Sequence, residues 1–440
     1  MIAPARQVAF SILKQVAATD AHSDELLRTP EVDALSPQDR NLTTMLVLGT
    51  LRWQLALDER IRGLLARPDV QLGVEAATAL RLGAFQLLHL DRVPAHAVIN
   101  DSVELLKQTQ ERNAAGMVNA VLRKLAVLPR DPIPEKLNSA KEIAATFAHP
   151  AWMVGRWARR YGVATAEAIC RWDQEPAGVT LRIDSAEADA AGIESEPGAF
   201  LTQARRVVLS GPLLPVHVRM QDEASQLVAE IAAAAAPQAD RVLDTCAAPG
   251  GKAAILAERL PNAAITAVDV SRKRLDAMRA QPGLMSANLQ FEVSDAARLE
   301  LRPDYGLILC DVPCSGTGTM GRNPEIRWRV AEASLTRQQQ RQGMILRAAL
   351  SGLAPHGRLV YSTCSLEKEE NEAVIASVLR DVPGFRLVSV PAILDRLAES
   401  GVVTAEGRER LRTATDGEFL RTVPGIHPCD GFFVAVLEPA

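Results

Sequence analysis

Apolar positions recur at three- and four-residue spacing through "ARQVAFSILKQVAA" (5–18), "PQDRNLTTMLVLGTLRWQLALDERIRGLLAR" (37–67) and "AGMVNAVLRKLAVL" (115–128), the period of a helix that buries one face. Residues 1–130 therefore read as an all-helical domain. The run "LPRDPIPEKLNS" (128–139) then places three prolines in twelve residues, which ends the helical pattern and marks a boundary. Residues 131–215 are mixed: a helical start, "AWMVGRWARRYGVATAEAICRW" (151–172), is followed by strand-like "GVTLRID" (178–184) and "RRVVLSGPLLPVHVRM" (205–220). This stretch reads as a small α+β linking domain. From 216 to 440 apolar strands alternate with helical segments, the pattern of a mainly parallel α/β sheet covered on both faces. The strands are "RVLDT", "AITAVDV", "LQFEVSD", "YGLILCD", "GRLVYST" and a terminal pair that includes "GFFVAVLE".

Composition changes this picture little. Of 440 residues, 48% are hydrophobic and 23% charged, ordinary for a globular protein with several cores. No run of 18 apolar residues and no cleavable leader is visible, so neither a membrane nor secretion is indicated and the cytoplasm is expected. A net charge of −4 argues against indiscriminate binding to nucleic acid but leaves room for a local basic face. The six cysteines, at 170, 246, 310, 314, 364 and 429, form no disulfide framework. Cys310 and Cys314 make a C-x₃-C pair without a second pair or nearby histidines, so a metal site is not expected.

In an open α/β sheet, ligands bind beyond the carboxyl ends of the strands, so the residues after each strand carry the information. After the first comes "DTCAAPGGK" (244–252), whose Gly250 and Gly251 let backbone approach a ligand. It lacks the spacing of a phosphate loop, since Ala253 follows Lys252. After the second strand stands Asp269, 25 residues beyond Asp244, where a carboxylate accepts from ribose hydroxyls. After the third stands Asp295, suited to an adenine edge. Either aspartate alone could merely cap a helix. Together, without a phosphate site, they describe a phosphate-free nucleoside, for which S-adenosylmethionine is the obvious candidate.

The fourth strand ends in "DVPC", with Asp311 and Cys314, and the fifth in "STC", with Cys364. One strand-end cysteine is ordinarily a small buried hydrophobe, but two bordering one cofactor pocket call for chemistry. Carbon 5 of cytosine is too weak a nucleophile to take a sulfonium methyl unaided. A thiolate added at carbon 6 makes carbon 5 enamine-like, and a second group must then help remove the carbon-5 proton. Asp311 is placed to hold the Watson–Crick edge and favour protonation of the ring nitrogen.

"DTCAAPGGK", "AVDVSRKRL", "DVPCSGTG" and "YSTCSLEKEENE" resemble the cofactor and catalytic motifs of the RsmB/NOP family of RNA 5-methylcytosine methyltransferases. The helical part resembles a NusB-type RNA-binding domain, which within that family points to the bacterial branch acting on a cytosine of small-subunit (16S) ribosomal RNA. The resemblance implies a Rossmann-like class I methyltransferase domain preceded by the NusB-like and linking domains. It further implies that Cys246, Ala247, Ala248, Pro249, Gly250, Gly251 and Lys252 contact the methionine part of S-adenosylmethionine, Asp269 the ribose and Asp295 the adenine. Arg274, in the Asp269 motif, joins the cofactor set, and Asp311 lies beside methyl donor and base. In this family the "TC" cysteine, Cys364, attacks, and the "PC" cysteine, Cys314, assists release; the DNA enzymes use the opposite order.

The expected partner is a single-stranded or loop cytosine of ribosomal RNA, met by a monomer, with neither membrane nor metal. "RWARRYG" (156–162) and "GRNPEIRWRV" (321–330) combine arginines with Trp157, Tyr161 and Trp328 as a phosphate-and-stacking surface would; a solvated helix face with core aromatics fits the first equally. The acidic run "EKEENE" after Cys364 is expected only to favour a helix start. Removing residues 1–130 is expected to leave the cofactor site largely intact. Two rivals remain at this level: an amino-group methyltransferase, whose strand-four turn needs no thiol, and a non-catalytic RNA-binding factor on a retired methyltransferase fold.

Overall fold

The computed structural model describes residues 2–129, 132–208, 218–281, 284 and 288–440. Two residues of the proline-rich run, 130 and 131, and the middle of the strand-like stretch, 209–217, lie outside the described residues. The chain forms two compact units, one of residues 1–176 with 320–329, the other of 177–319 with 330–440.

The first unit is helical. Its long helix Pro37–Leu64 starts where Ser36 accepts a hydrogen bond from the Asp39 N–H and proline takes the first turn, a position with no helical hydrogen bond to lose. It packs with Pro4–Ala18, Val74–His89, Ala95–Lys107 and Ala115–Leu125 around Leu46, Leu80, Leu82, Leu106 and Leu122, all fully buried. The segment "RWARRYG" falls on helix Ala151–Tyr161. There Trp157 is buried and makes an edge contact with the His149 ring, so it serves the core.

The second unit holds two sheets. Strands β1 (Thr180–Arg182), β2 (Ser195–Pro197), β3 (Ala204–Val207) and β4 (Arg219–Met220) form a small antiparallel sheet in the order β2-β3-β1-β4. The large sheet contains β5 (Arg241–Asp244), β6 (Ala264–Asp269), β7 (Leu289–Val293), β8 (Tyr305–Asp311) and β9 (Leu353–Thr363). The C-terminal strands are β10 (Phe385–Val388), β11 (Thr415–Asp416), β12 (Phe419–Arg421) and β13 (Phe433–Pro439). Its order is β11-β12-β13-β9-β8-β5-β6-β7, with β10 on β13. β5 pairs in parallel with both β6 and β8, β8 with β9, and β13 runs antiparallel to β9. Because the chain leaves β5 for one side of the sheet and returns on the other at β8, the switch point lies between their carboxyl ends, where a crevice opens. Buried strand residues such as Leu243, Ile308 and Leu309 face helices on both sides, which explains the near-continuous apolar runs.

Candidate active site

The turn after β5 is fixed from both sides: Thr245 N–H bonds the Leu309 carbonyl at 3.0 Å and Ala247 N–H the Val268 carbonyl at 2.8 Å. Gly250 then adopts φ +106° and caps helix Gly251–Arg259. A Cβ there would come within 2.5 Å of Leu284 and 2.8 Å of Met278, so both conformation and space demand glycine.

Asp244, at the end of β5, is buried, and its Oδ2 has no hydrogen-bond partner among the described residues. Burial and then the charge of Asp311 push its pKa up to about 7. A cationic ligand group would relieve that state. At the end of β6 the carboxylate of Asp269, 2% exposed, accepts from Ser271 N–H at 2.8 Å and from Arg274 at 2.7 and 2.8 Å. Asp295 follows β7, stays 40% exposed and accepts from Ala297 N–H at 3.1 Å, capping the short turn Ala296–Arg298. Its other oxygen, Oδ2, lies 3.8 Å from Arg298 Nε. A glycine turn, an orphan buried acid and two further strand-end acids fit a nucleoside carrying a cationic amino-acid arm.

Beside this crevice Lys252 Nζ meets Asp311 Oδ2 at 2.7 Å, and Ser362 donates to Asp311 Oδ1 at 2.7 Å. Burial lowers the pKa of Lys252, but the Asp311 charge outweighs it and the net shift is upward, so the ammonium is firmly held. The sulfurs of Cys314 and Cys364 lie 3.2 Å apart. The Cys314 pKa is raised well above its ordinary value, first by the hydrogen bond to Cys364, then by burial and by the charges of Cys364 and Glu370. Either sulfur could donate to the other. Cys310 faces the interior and burial pushes it up to about 12, as a structural cysteine should be.

Glu370 is the residue that sequence reasoning missed. It belongs to the acidic run yet is fully buried. It accepts from the Ser315 N–H at 2.8 Å, from the Ser315 and Ser365 hydroxyls and from Gln342 at 3.1 Å. One carboxylate thereby ties the residue after Cys314 to the residue after Cys364. The two loops are further joined by Gly318 N–H to the Cys364 carbonyl at 2.9 Å and Leu366 N–H to Thr317 Oγ1 at 2.9 Å. A sequence signal existed in hindsight, since a carboxylate five residues after a paired serine can reach back to it, but a run of charges usually marks a solvated face.

In "GRNPEIRWRV" Arg322 and Arg329 stay partly exposed, but the central arginine does not reach the surface. Arg327 is 1% exposed and donates to the carbonyls of Arg52 and Asp173, while Trp328 packs on the core of the helical unit. Among the described residues no cluster of three or more acidic, cysteine or histidine side chains could hold a metal ion, and no helix is long and apolar enough to cross a membrane.

This sheet order, with a glycine turn after its first strand and acids after the next ones, defines a Rossmann-like methyltransferase. Residues 232–438 match the profile of the 16S rRNA methyltransferases RsmB/F, residues 3–127 that of the NusB family, and residues 149–206 that of the ferredoxin-like domain of RsmF/B-type methyltransferases. A Bacillus subtilis (strain 168) protein named "Probable ribosomal RNA small subunit methyltransferase B" is 32% identical over 98% of both chains. The ribosomal RNA small subunit methyltransferase B of Xanthomonas campestris is 32% identical over 92% of this chain and 90% of its own. The crystal structure of PH0851 superposes over 100% of this chain and 99% of that one with a TM-score of 0.80 at 23% identity, a likeness of fold. The chain belongs to the RsmB/NOP family, with a NusB-like domain at its N-terminus: it is an S-adenosylmethionine-dependent 16S rRNA methyltransferase of the RsmB type.

Proposed function

We propose that the chain methylates carbon 5 of a cytosine in 16S rRNA through a covalent cysteine–cytosine intermediate, with Cys364 as nucleophile and Cys314 as the group that completes release. The observation that carries this reading is the pair of sulfurs 3.2 Å apart at two neighbouring strand ends, beside the Lys252–Asp311 pair. S-adenosylmethionine, when bound, supplies an electrophilic methyl on a sulfonium.

Cys364, accepting a hydrogen bond from Cys314, adds as thiolate to carbon 6 of the base. The charge moves toward ring nitrogen 3, which takes a proton from water and returns it when the carbon 6–sulfur bond breaks, the N–H being held meanwhile by the Asp311 carboxylate, and carbon 5 becomes nucleophilic enough to take the methyl. Once Cys364 is a thioether, the negative charge that held the proton on Cys314 is gone. Cys314 then yields its proton to water and takes the one on carbon 5. The carbon 6–sulfur bond breaks, its electron pair returns to Cys364, and the net products are methylated base and one proton. In the cofactor crevice we assign the backbone of 246–251 and Lys252 to the methionine part, Asp269 to the ribose and Asp295 to the adenine. Mass spectrometry of nucleosides from 16S rRNA incubated with the protein and methyl donor tests the product: 5-methylcytidine is expected, and N4-methylcytidine or a methylated purine would refute the reading.

A further inference from the structure

Cys314 and Cys364 follow two neighbouring parallel strands, β8 and β9, within the second unit. Their sulfurs lie 3.2 Å apart, so an approach of roughly 1.2 Å would bring them to the length of a sulfur–sulfur bond, about 2.05 Å. The loops that carry them are already cross-tied. Gly318 N–H bonds the Cys364 carbonyl and Leu366 N–H bonds Thr317 Oγ1, both at 2.9 Å. The hydroxyls of Ser315 and Ser365 meet at 3.2 Å and share the Glu370 carboxylate. A cross-link would join two segments that the fold already holds side by side.

The other four cysteines differ from this pair. Cys170, Cys310 and Cys429 are buried, and burial raises the pKa of each, the setting of an inert structural thiol. Cys246 is partly exposed, but burial and then the neighbouring Cys310 raise its pKa as well. Cys314 and Cys364 are both partly exposed, and the first cause of the raised Cys314 pKa is its bond to the other sulfur. A negative charge on Cys364 is among the causes that raise the Lys252 pKa, which places an ammonium near that sulfur. Reactive thiols sit beside such positive charges.

We infer that Cys314 and Cys364 form a reversible oxidative modification site, at which hydrogen peroxide converts the two thiols into a disulfide. The thiolate of one cysteine attacks peroxide: a sulfur–oxygen bond forms, the oxygen–oxygen bond breaks, and the hydroxide released takes up a proton, leaving a sulfenic acid. The second thiol loses its proton and attacks that sulfur, so that the sulfur–sulfur bond forms, the sulfur–oxygen bond breaks and hydroxide leaves with the proton as water. Two thiols are oxidised and one peroxide becomes two waters. Closure of the disulfide also keeps the first sulfur from going on to sulfinic acid, which thiols do not reverse. The site needs the sulfur geometry alone. That its oxidation stops methylation rests on the covalent role proposed above, since neither sulfur of a disulfide can add to a base.

The test treats the full chain, natively folded, with stepwise equivalents of hydrogen peroxide beside an internal glutathione standard. Thiols are counted after denaturation, peptides are mapped without reduction, and methylation of 16S rRNA is measured before and after dithiothreitol. The count is expected to fall by two from six, and the map to show one Cys314–Cys364 link. Methylation should be lost in step with that link and return with dithiothreitol. Cys314→Ser should instead leave a sulfenic acid on Cys364 that dimedone traps, whereas Cys170→Ser should link as the parent does. A count that stays at six after the glutathione is consumed overturns the proposal, as does a link between other cysteines or sulfinic acid at the pair without a link. A Cys314–Cys364 link that forms while methylation persists would support the modification site and count against the covalent cysteine mechanism, so the two failures read differently.

Discussion

Replacing Asp269 by asparagine tests the cofactor crevice with the least disturbance, because the side chain keeps its shape and one acceptor oxygen. The carboxylate is 2% exposed and already held by the Ser271 N–H and Arg274. A ribose edge would add bonds to a charged acceptor, each worth about 1.5–3 kcal/mol. Loss of one such bond weakens S-adenosylmethionine binding by roughly one to two decades. The ion pair with Arg274 is lost too, but Arg274 is 51% exposed, and exposed pairs contribute about 1 kcal/mol at most. The folded state should therefore survive. Isothermal calorimetry is expected to show a Kd raised ten- to a hundredfold with a melting temperature within a few degrees of the parent. Arg274→Ala separates two roles for its neighbour: an arginine that touches the cofactor gives a comparable loss, whereas one that only orients Asp269 gives a smaller one. A Kd within twofold of the parent in folded Asp269→Asn would remove Asp269 from the site.

Lys252→Met leaves Asp311 with Ser362 as its one remaining partner described above, and since the pair is largely buried it should cost up to about 3 kcal/mol in urea unfolding as well as most of the turnover. Glu370→Gln keeps the volume but loses charge where two serine hydroxyls and a backbone N–H converge; turnover should fall more than tenfold while calorimetry finds the cofactor Kd unchanged. Asp244 gives a pH signature. Its folded pKa of about 7 lies above that of an unfolded aspartate, about 3.9, so the folded state binds the proton more tightly. The resulting stability is fully present below about pH 4 and is lost as pH rises through 7, about 4 kcal/mol at most. Urea unfolding at pH 5 and pH 8 should show it, and Asp244→Asn should remove that pH dependence.

The strand-end motifs stand out in the sequence because a parallel sheet puts the residues after each strand at one edge, and Gly250, Asp269, Asp311 and Cys364 do follow the strands expected to carry them. Helical periodicity likewise exposed the N-terminal unit, whose helices each bury one stripe. What escaped was set by contacts far apart in sequence. Glu370 looked like one charge among several because its partner Ser315 is 55 residues away. Arg327 and Trp328 looked like an RNA surface because arginine beside an aromatic ring is a surface pattern until helices some 275 residues upstream cover it. Trp157 took the core role that the sequence left open for it. Asp295 shows the converse: its capping bond was foreseen as an alternative, and the geometry accommodates it without excluding a ligand.

Which sulfur bonds to the base decides the mechanism. Labelled 16S rRNA incubated with each cysteine variant and methyl donor, then run on a denaturing gel, reads this directly. Cys314→Ala should still attack and transfer the methyl, then stall as a protein–RNA adduct held by a carbon–sulfur bond. Cys364→Ala should give no adduct and no methyl transfer. An adduct in Cys364→Ala instead would reverse the two roles, and free RNA with retained activity in both variants would contradict the covalent mechanism.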